Sequence, residues 1–423
     1  MKYLIPIIFA IIGFALSNIF FNSTQAFLIS IIVLMVAFWT NEALPLGVVS
    51  LLPIILFPLL GILDIKSVSA NYSNPIIFLF LGGFFLAIAV EKINLHKVIA
   101  NKILSIFPPK KLIFALALTS ATLSAFLSNT TTALLLLPIA LYLSDDTNLK
   151  LRLVLAIAYG ASIGGIITPI GTPPNLILLG FLEENNLAML TFIEWMTKTI
   201  PLAIIMLIIV SFILSIGINQ VKTEKIVSLP LDNQQKKLSF ILLAMMGLLL
   251  ANSFIKIPDA IILLGFGLLM FIPKIGFLEW EDSKKIPYEI IFLFGAGFSI
   301  AKAFSSTHLA NEISSMLLGL SNLAPFILLL VVAFIITFTT EITSNTALIS
   351  IALPIIYAMN INETLLMLST ICASYAFMLP IATPPNAIAF SSGVVKIKTM
   401  AKYGFMFNLI AIVLTTIFAY FVW

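Results

Sequence analysis

Charge is what this sequence has least of. Only 9% of its 423 residues are Asp, Glu, Lys or Arg, against roughly a quarter in an ordinary soluble domain. With 61% hydrophobic residues and a mean hydropathy of +1.16, a single soluble core cannot absorb the apolar surface. Cysteine occurs once, at Cys372, which excludes an intramolecular disulfide. Histidine occurs twice, at His96 and His308. Without a Cys or His cluster there is no transition-metal site. No nucleophile–base pair stands out, so an intramembrane enzyme is not expected. Short alternating segments are absent too, which excludes a β-barrel. A net charge of +4 is no nucleic-acid signal.

What remains are unbroken apolar runs of spanning length. The fold class they predict is an all-α polytopic membrane protein. The first run, "MKYLIPIIFAIIGFALSNIFF", has no small-residue cleavage site and is expected to span rather than be removed. Spans are expected near 4–20, 25–41, 44–61, 74–91, 149–181, 197–218, 238–254, 259–273, 287–303, 363–392 and 401–421. That is about 11 transmembrane helices. Two further apolar segments, 112–143 and 323–358, carry the motifs "LSNTTTALLLLP" and "TSNTALISIALP". Between Lys111 and Asp145 lie 33 residues, and two full crossings need about 40. The first segment is therefore expected to be a re-entrant helical hairpin. Length alone does not decide the second.

Charges test the layout. With the N-terminus in the cytoplasm and both hairpins returning to their own side, 18 Lys and Arg fall inside and 4 outside. The four are Lys66, Lys198, Lys256 and Lys302. This is the positive-inside asymmetry, and it puts the C-terminus outside. Two stretches, 93–107 and 304–320, mix polar and apolar faces at helical spacing. They fit arms lying in the membrane plane or ordinary connecting helices.

The chain also repeats itself. "FLGGFFLAIA" (80–89) matches "LFGAGFSIAKA" (293–303), "FLSNTTTALLLLPI" (126–139) matches "EITSNTALISIALPI" (341–355), and "ITPIGTPPNLI" (167–177) matches "LPIATPPNAIA" (379–389). An odd number of steps separates the first pair of spanning helices, so the repeats are inverted. Inverted repeats are an architecture of secondary transporters.

The motifs suit ions. Each Thr-Pro-Pro-Asn sits inside an apolar span, where prolines remove donors and push the preceding residue out of helix. Both spans should unwind there, and unwound backbone at membrane depth must line a cavity or be buried in protein. The Ser-Asn-Thr tips offer N–H groups that attract anions and oxygens that suit a hard cation. Helix–helix glue is the plainer reading of one such motif, less so of two. No Lys, Arg or His lies within ten residues of Asn129 or Asn345. An anion bound here needs positive charge, and co-bound cations would supply it.

These residues, with "FWTNEALPLGVVSLLP" (38–53) and "FLGGFFLAIAVEKINLHKVIA" (80–100), resemble the divalent anion/sodium symporter family. The resemblance covers nearly the whole chain. It implies one sodium site from Ser124, Ser128, Asn129 and Gly171, and another from Thr340, Thr343, Asn345 and the backbone near Pro384. It implies substrate carboxylates at Ser128, Asn129, Thr130, Ser344, Asn345, Thr346, Thr383 and Pro384. Two or three sodium ions would be co-transported per cycle. It further implies a homodimer and an elevator mechanism, with a scaffold and a mobile transport part. On that reading 1–24 is an N-terminal helix. The first repeat, 25–218, has a scaffold (25–109 and 182–218) around transport part 110–181. A cytoplasmic linker, 219–237, follows. The second repeat, 238–423, has a scaffold (238–321 and 393–423) around transport part 322–392. Two facing polar tips suit a ligand with an anion at each end, so a C4-dicarboxylate is expected, carried into the cell across the cell (inner) membrane. A sodium-coupled sulfate or citrate symporter and a dicarboxylate exchanger stay open. Ala382, where the first repeat has Gly171, should make the second cation site differ.

Overall fold

The computed structural model describes residues 2–41, 43–218, 230–255, 257–316, 323–359 and 363–423. The expected linker lies partly outside the described residues, at 219–229, as does the end of the second arm, at 317–320. Among the described residues every regular element is a helix.

Among the described residues, five helical stretches are each long and apolar enough to cross a membrane: Ser23–Asn41, Ile65–Lys92, Phe192–Ser215, Tyr288–Ser306 and Ile397–Phe421. The helix Asn233–Ile255, of 23 residues, also covers the span expected at 238–254; the remaining expected spans are shorter or interrupted. The span expected at 44–61 is divided into Leu46–Ser50 and Leu52–Leu59, with Pro53 in the first turn of the second piece and Pro58 inside it. Each proline costs a backbone donor.

Both motif segments are hairpins. The first joins Leu112–Ser124 to Asn129–Tyr142, and the second joins Pro325–Thr340 to Asn345–Ala358. In each, the motif serine caps the returning helix. Ser128 Oγ accepts from Thr131 N at 3.1 Å, and Ser344 Oγ accepts from Ala347 N at 3.5 Å. Serine favours this position because its side chain satisfies an orphan donor of the first turn. Pro138 and Pro354 lie inside the returning helices rather than at their ends.

The two proline-bearing spans are broken. Thr147–Gly165 gives way to Pro173–Glu184, and Thr364–Ala373 to Pro384–Ser391. Each gap holds one proline, Pro169 or Pro380, and precedes the Pro-Pro pair instead of containing it. Thr172 (φ −148°, ψ 146°) and Thr383 (φ −143°, ψ 150°) are extended, and each Pro-Pro opens the next helix. Proline suits a first helical turn, where its missing N–H is no loss.

Packing exchanges partners between the repeats. Pro173–Glu184 lies on the returning arm of the second hairpin, and Pro384–Ser391 on that of the first. The first arm of the first hairpin runs along Thr147–Gly165, and Ser120 Oγ donates across to Ile157 O at 2.7 Å. Leu95–Ile106 meets Pro109–Ser124 at 119°, so the first polar arm is set steeply to the hairpin.

Loops expected on one side bond to each other. Trp423 Nε1 donates to Lys198 O, Gln25 Nε2 to Thr307 O and Phe192 N to Asp259 Oδ2 on one side. On the other, Asn41 Nδ2 donates to Lys2 O, Gln235 Nε2 to Ile93 O, and Lys92 pairs with Asp282 at 2.6 Å.

Candidate functional site

Both hairpin tips and both breaks meet at one cavity of about 1090 Å³. All eight residues assigned to substrate from sequence line it: Ser128, Asn129, Thr130, Ser344, Asn345, Thr346, Thr383 and Pro384. Gly171 lines it as well. Ser124, Thr340 and Thr343 do not; they stand behind the tips.

The two tips are built alike. Ser124 Oγ donates to Asn129 Oδ1 at 2.6 Å, and Thr340 Oγ1 donates to Asn345 Oδ1 at 2.6 Å. Each bond turns a carboxamide oxygen back toward the end of the incoming arm. Thr343 Oγ1 instead donates to Thr339 O at 2.9 Å, which leaves its oxygen only lone pairs to offer.

Each tip is fastened to its own break. Thr168 Oγ1 donates to Ala125 O in the first repeat. In the second, Thr340 Oγ1 lies 3.0 Å from Ala373 O, so its one proton is shared between that carbonyl and Asn345 Oδ1. A Cβ on Gly165 would fall 2.9 Å from Asn129 Oδ1, and one on Gly171 would fall 2.4 Å from Gly165 O. Ser124, Asn129, Gly165 and Gly171 therefore share one small volume that a larger residue would fill. Ala382 occupies the matching place in the second repeat, buried at the cavity edge, so the two volumes differ.

Sequence reasoning left Asn175 and Asn386 off the site, though both follow the paired prolines. Asn175 Nδ2 donates to Gly165 O at 3.0 Å and Thr168 O at 2.9 Å. Asn386 Nδ2 donates to Ala376 O at 2.9 Å and Leu379 O at 3.0 Å. One amide thus satisfies two carbonyls that each unwound turn releases. Their recurrence at the repeat offset was the available signal. Glu341, the one charge near a motif, is 3% exposed. It accepts from Met378 N at 2.9 Å, Leu379 N at 3.1 Å and Asn408 Nδ2 at 2.6 Å. These bonds staple the second tip to the second break.

The electrostatics follow from helix ends. The N-termini of Asn129–Tyr142, Pro173–Glu184, Asn345–Ala358 and Pro384–Ser391 all reach the cavity. Each carries roughly half a positive charge, so four supply roughly two, the charge of a dianion. The hairpin termini also present N–H groups, whereas Pro173–Pro174 and Pro384–Pro385 present the dipole alone. Behind them end Leu112–Ser124, Thr147–Gly165, Pro325–Thr340 and Thr364–Ala373, whose terminal carbonyls form negative ends. Anion-attracting and cation-attracting ends are therefore layered, with Asn129 and Asn345 between them. Among the described residues lining the cavity the sole ionisable one is Glu289, an acid, so no basic side chain faces an anion. The opposite wall, with Trp39, Leu44, Phe80, Phe84 and Leu293, is apolar.

Known proteins are similar to this chain in sequence and in fold. The model of the citrate transporter family matches residues 32–364. A sodium-dependent dicarboxylate transporter, SdcS, of Staphylococcus saprophyticus is 34% identical, over 93% of this chain and 85% of that one. SdcS of Staphylococcus aureus is 32% identical, over 99% and 91%. The crystal structure of the YdaH transporter of Alcanivorax borkumensis superposes with a TM-score of 0.60 at 15% identity, covering 84% of this chain and 88% of that one. That likeness is one of fold. With a family match across most of its length and relatives a third identical end to end, the chain belongs to the citrate transporter family of polytopic membrane transporters.

Proposed function

We propose that this chain is a sodium-coupled symporter that carries C4-dicarboxylates into the cell. One observation carries the reading: four helix N-termini converge on a cavity without a basic side chain, with carbonyl ends layered behind them. The first layer fits a dianion and the second fits sodium. The relatives to which the chain is similar are named sodium-dependent dicarboxylate transporters, which supports the reading. The two sodium sites are the one around Ser124, Ser128, Asn129 and Gly171 and the one around Thr340, Thr343, Asn345 and the backbone near Pro384. The test is uptake into proteoliposomes of succinate, malate, citrate and sulfate, with and without sodium. Succinate and malate should accumulate only with sodium. Accumulation of sulfate in preference to both, or uptake without sodium, would overturn the reading.

The proposal includes an elevator motion and a homodimer, with the N-terminus in the cytoplasm. Polar groups sit on the hairpins and breaks, whereas the facing wall is apolar apart from Glu289. A substrate held by the first can travel past the second without stripping polar contacts from it. Residues 110–181 and 322–392 would move as a body against 25–91 and 197–303. Cysteine pairs cross-linked across that boundary should stop transport. Full transport with every cross-link formed would favour local gating over the elevator.

A further inference from the structure

The cavity lies at one end of the helix Tyr288–Ser306, where Glu289, Ile290 and Leu293 line it. Farther along, the helix is closed against its neighbours. A Cβ on Gly180 would fall 2.1 Å from Phe298 Cε1, and one on Gly297 would fall 2.7 Å from Ser350 Oγ. The helix therefore seats directly on Pro173–Glu184 and on the returning arm of the second hairpin. Beyond this seam Lys302 Nζ stands 3.0 Å from Glu184 Oε1, with side-chain exposures of 40% and 15%. At 1.5 Å per residue, the pair is about 20 Å along the helix from Glu289.

The half-helix Pro173–Glu184 runs three residues past the bound drawn at 181 and, as one rigid element, takes Glu184 with the mobile part, so the two partners belong to different bodies. Glu184 ends the half-helix whose N-terminus faces the cavity, and Lys302 rides on the helix assigned to the fixed part. We propose that the Glu184–Lys302 ion pair is a latch specific to one access state: it holds the mobile part against the fixed helix while the cavity stands open at the helix's other end. The inference rests on the alternating-access reading above. A contact between two bodies that realign cannot persist through the realignment. Its energy therefore counts toward one state only and shifts the balance between them. The latch is also weak enough to part. Lys302 is half in solvent, where such pairs contribute little. Glu184 Oε2 and the neighbouring Glu183 Oε2 are buried without hydrogen-bond partners, so one lysine faces more acid than it satisfies.

Charge reversal tests it in the full chain, reconstituted in proteoliposomes. Cys372, the one cysteine, is buried; Cys372→Ser makes the background, and Ala87→Cys on the cavity wall reports access to a membrane-impermeant maleimide. Glu184→Lys and Lys302→Glu each replace attraction by repulsion, and each should slow labelling about threefold, the scale on which a part-exposed pair acts. The double reversal Glu184→Lys/Lys302→Glu should restore the parental labelling rate. Unchanged labelling in both single variants, or a double variant no better than the singles, overturns the latch. Where a reversal fails to insert, Glu184→Gln and Lys302→Gln replace it: slower labelling supports the latch and no change refutes it. Absent sodium-driven uptake by the unsubstituted chain would count against the transport reading instead, since the latch is read by labelling alone.

Discussion

Asn129→Ala and Asn345→Ala should each abolish sodium-driven dicarboxylate uptake while the protein still folds and inserts. Each carboxamide sits where an anion-attracting N-terminus meets a cation-attracting carbonyl end. Asn129 Oδ1 is held by Ser124 at 2.6 Å and Asn345 Oδ1 by Thr340 at the same distance. The oxygen can serve a cation and the amide an anion, so alanine removes both interactions at once. Hydrogen bonds to charged groups contribute about 1.5–3 kcal/mol each. At 1.4 kcal/mol per tenfold, losing two should lower uptake at limiting substrate by about 100-fold or more. The fold should survive, because the helix caps are made by Ser128 and Ser344 rather than by the asparagines. Initial uptake rates in proteoliposomes, set beside chromatographic monodispersity and melting temperature, check this. Near-normal uptake in either variant would sink the site assignment. Loss of folding would instead make the asparagine a structural residue.

The second tip has a further anchor that the first lacks. Glu341 accepts two backbone N–H bonds from the unwound segment and a third bond from Asn408. At the matching place in the first repeat stands Ala125, whose carbonyl accepts from Thr168 Oγ1. The same mechanical task, tying tip to break, is done once by a buried carboxylate and once by a neutral hydroxyl. The pseudo-symmetric site is therefore lopsided, with a carboxyl group behind the second tip and none at the matching place behind the first. Together with Ala382 in place of Gly171, this gives the two cation volumes different chemistry even though their asparagines superpose in role.

The first hairpin and the breaks are legible in the sequence because each rests on a local quantity, whereas the second hairpin is legible only through its match to the first. A 33-residue apolar segment is too short for two crossings, and a Pro-Pro pair cannot continue a helix. The threefold recurrence of motifs then made the pairing of repeats legible at long range. The position of each gap was read less well. Prolines are expected to mark the unwound turn, yet Pro173 and Pro384 open the next helix, since proline breaks the helix on its N-terminal side and is welcome in a first turn. Asn408 was invisible. It lies in the middle of Ile397–Phe421, an apolar helix, and is joined to Glu341 only by folding. The exchange of packing partners between repeats was equally hidden. It depends on which faces of four short apolar helices meet, and all of those faces read alike. The Glu184–Lys302 pair, 118 positions apart, could not be found from either residue's neighbours.

Uptake of a dianion should be electrogenic and driven deeper by an inside-negative potential. The cavity presents no basic side chain among its described lining, and its single ionisable residue, Glu289, is acidic. Helix ends supply roughly two positive charges' worth of potential to the anion, but they stay with the protein and carry nothing across. Charge that moves must come from co-bound cations. Two sodium ions neutralise a dianion and leave transport indifferent to voltage. A third makes one net positive charge move inward on each cycle. The geometry offers two layered carbonyl volumes, and the resemblance to sodium symporters of divalent anions favours three ions. One charge gains about 2.3 kcal/mol per 100 mV, which at 1.36 kcal/mol per decade deepens the attainable gradient about 50-fold. A potassium-diffusion potential of 100 mV, negative inside potassium-loaded proteoliposomes with sodium outside, should therefore raise steady-state succinate accumulation well above that at zero potential. Valinomycin at equal potassium on both sides should return it to the zero-potential level. Sodium-dependent uptake that ignores the imposed potential would set the count at two and leave the third ion without support.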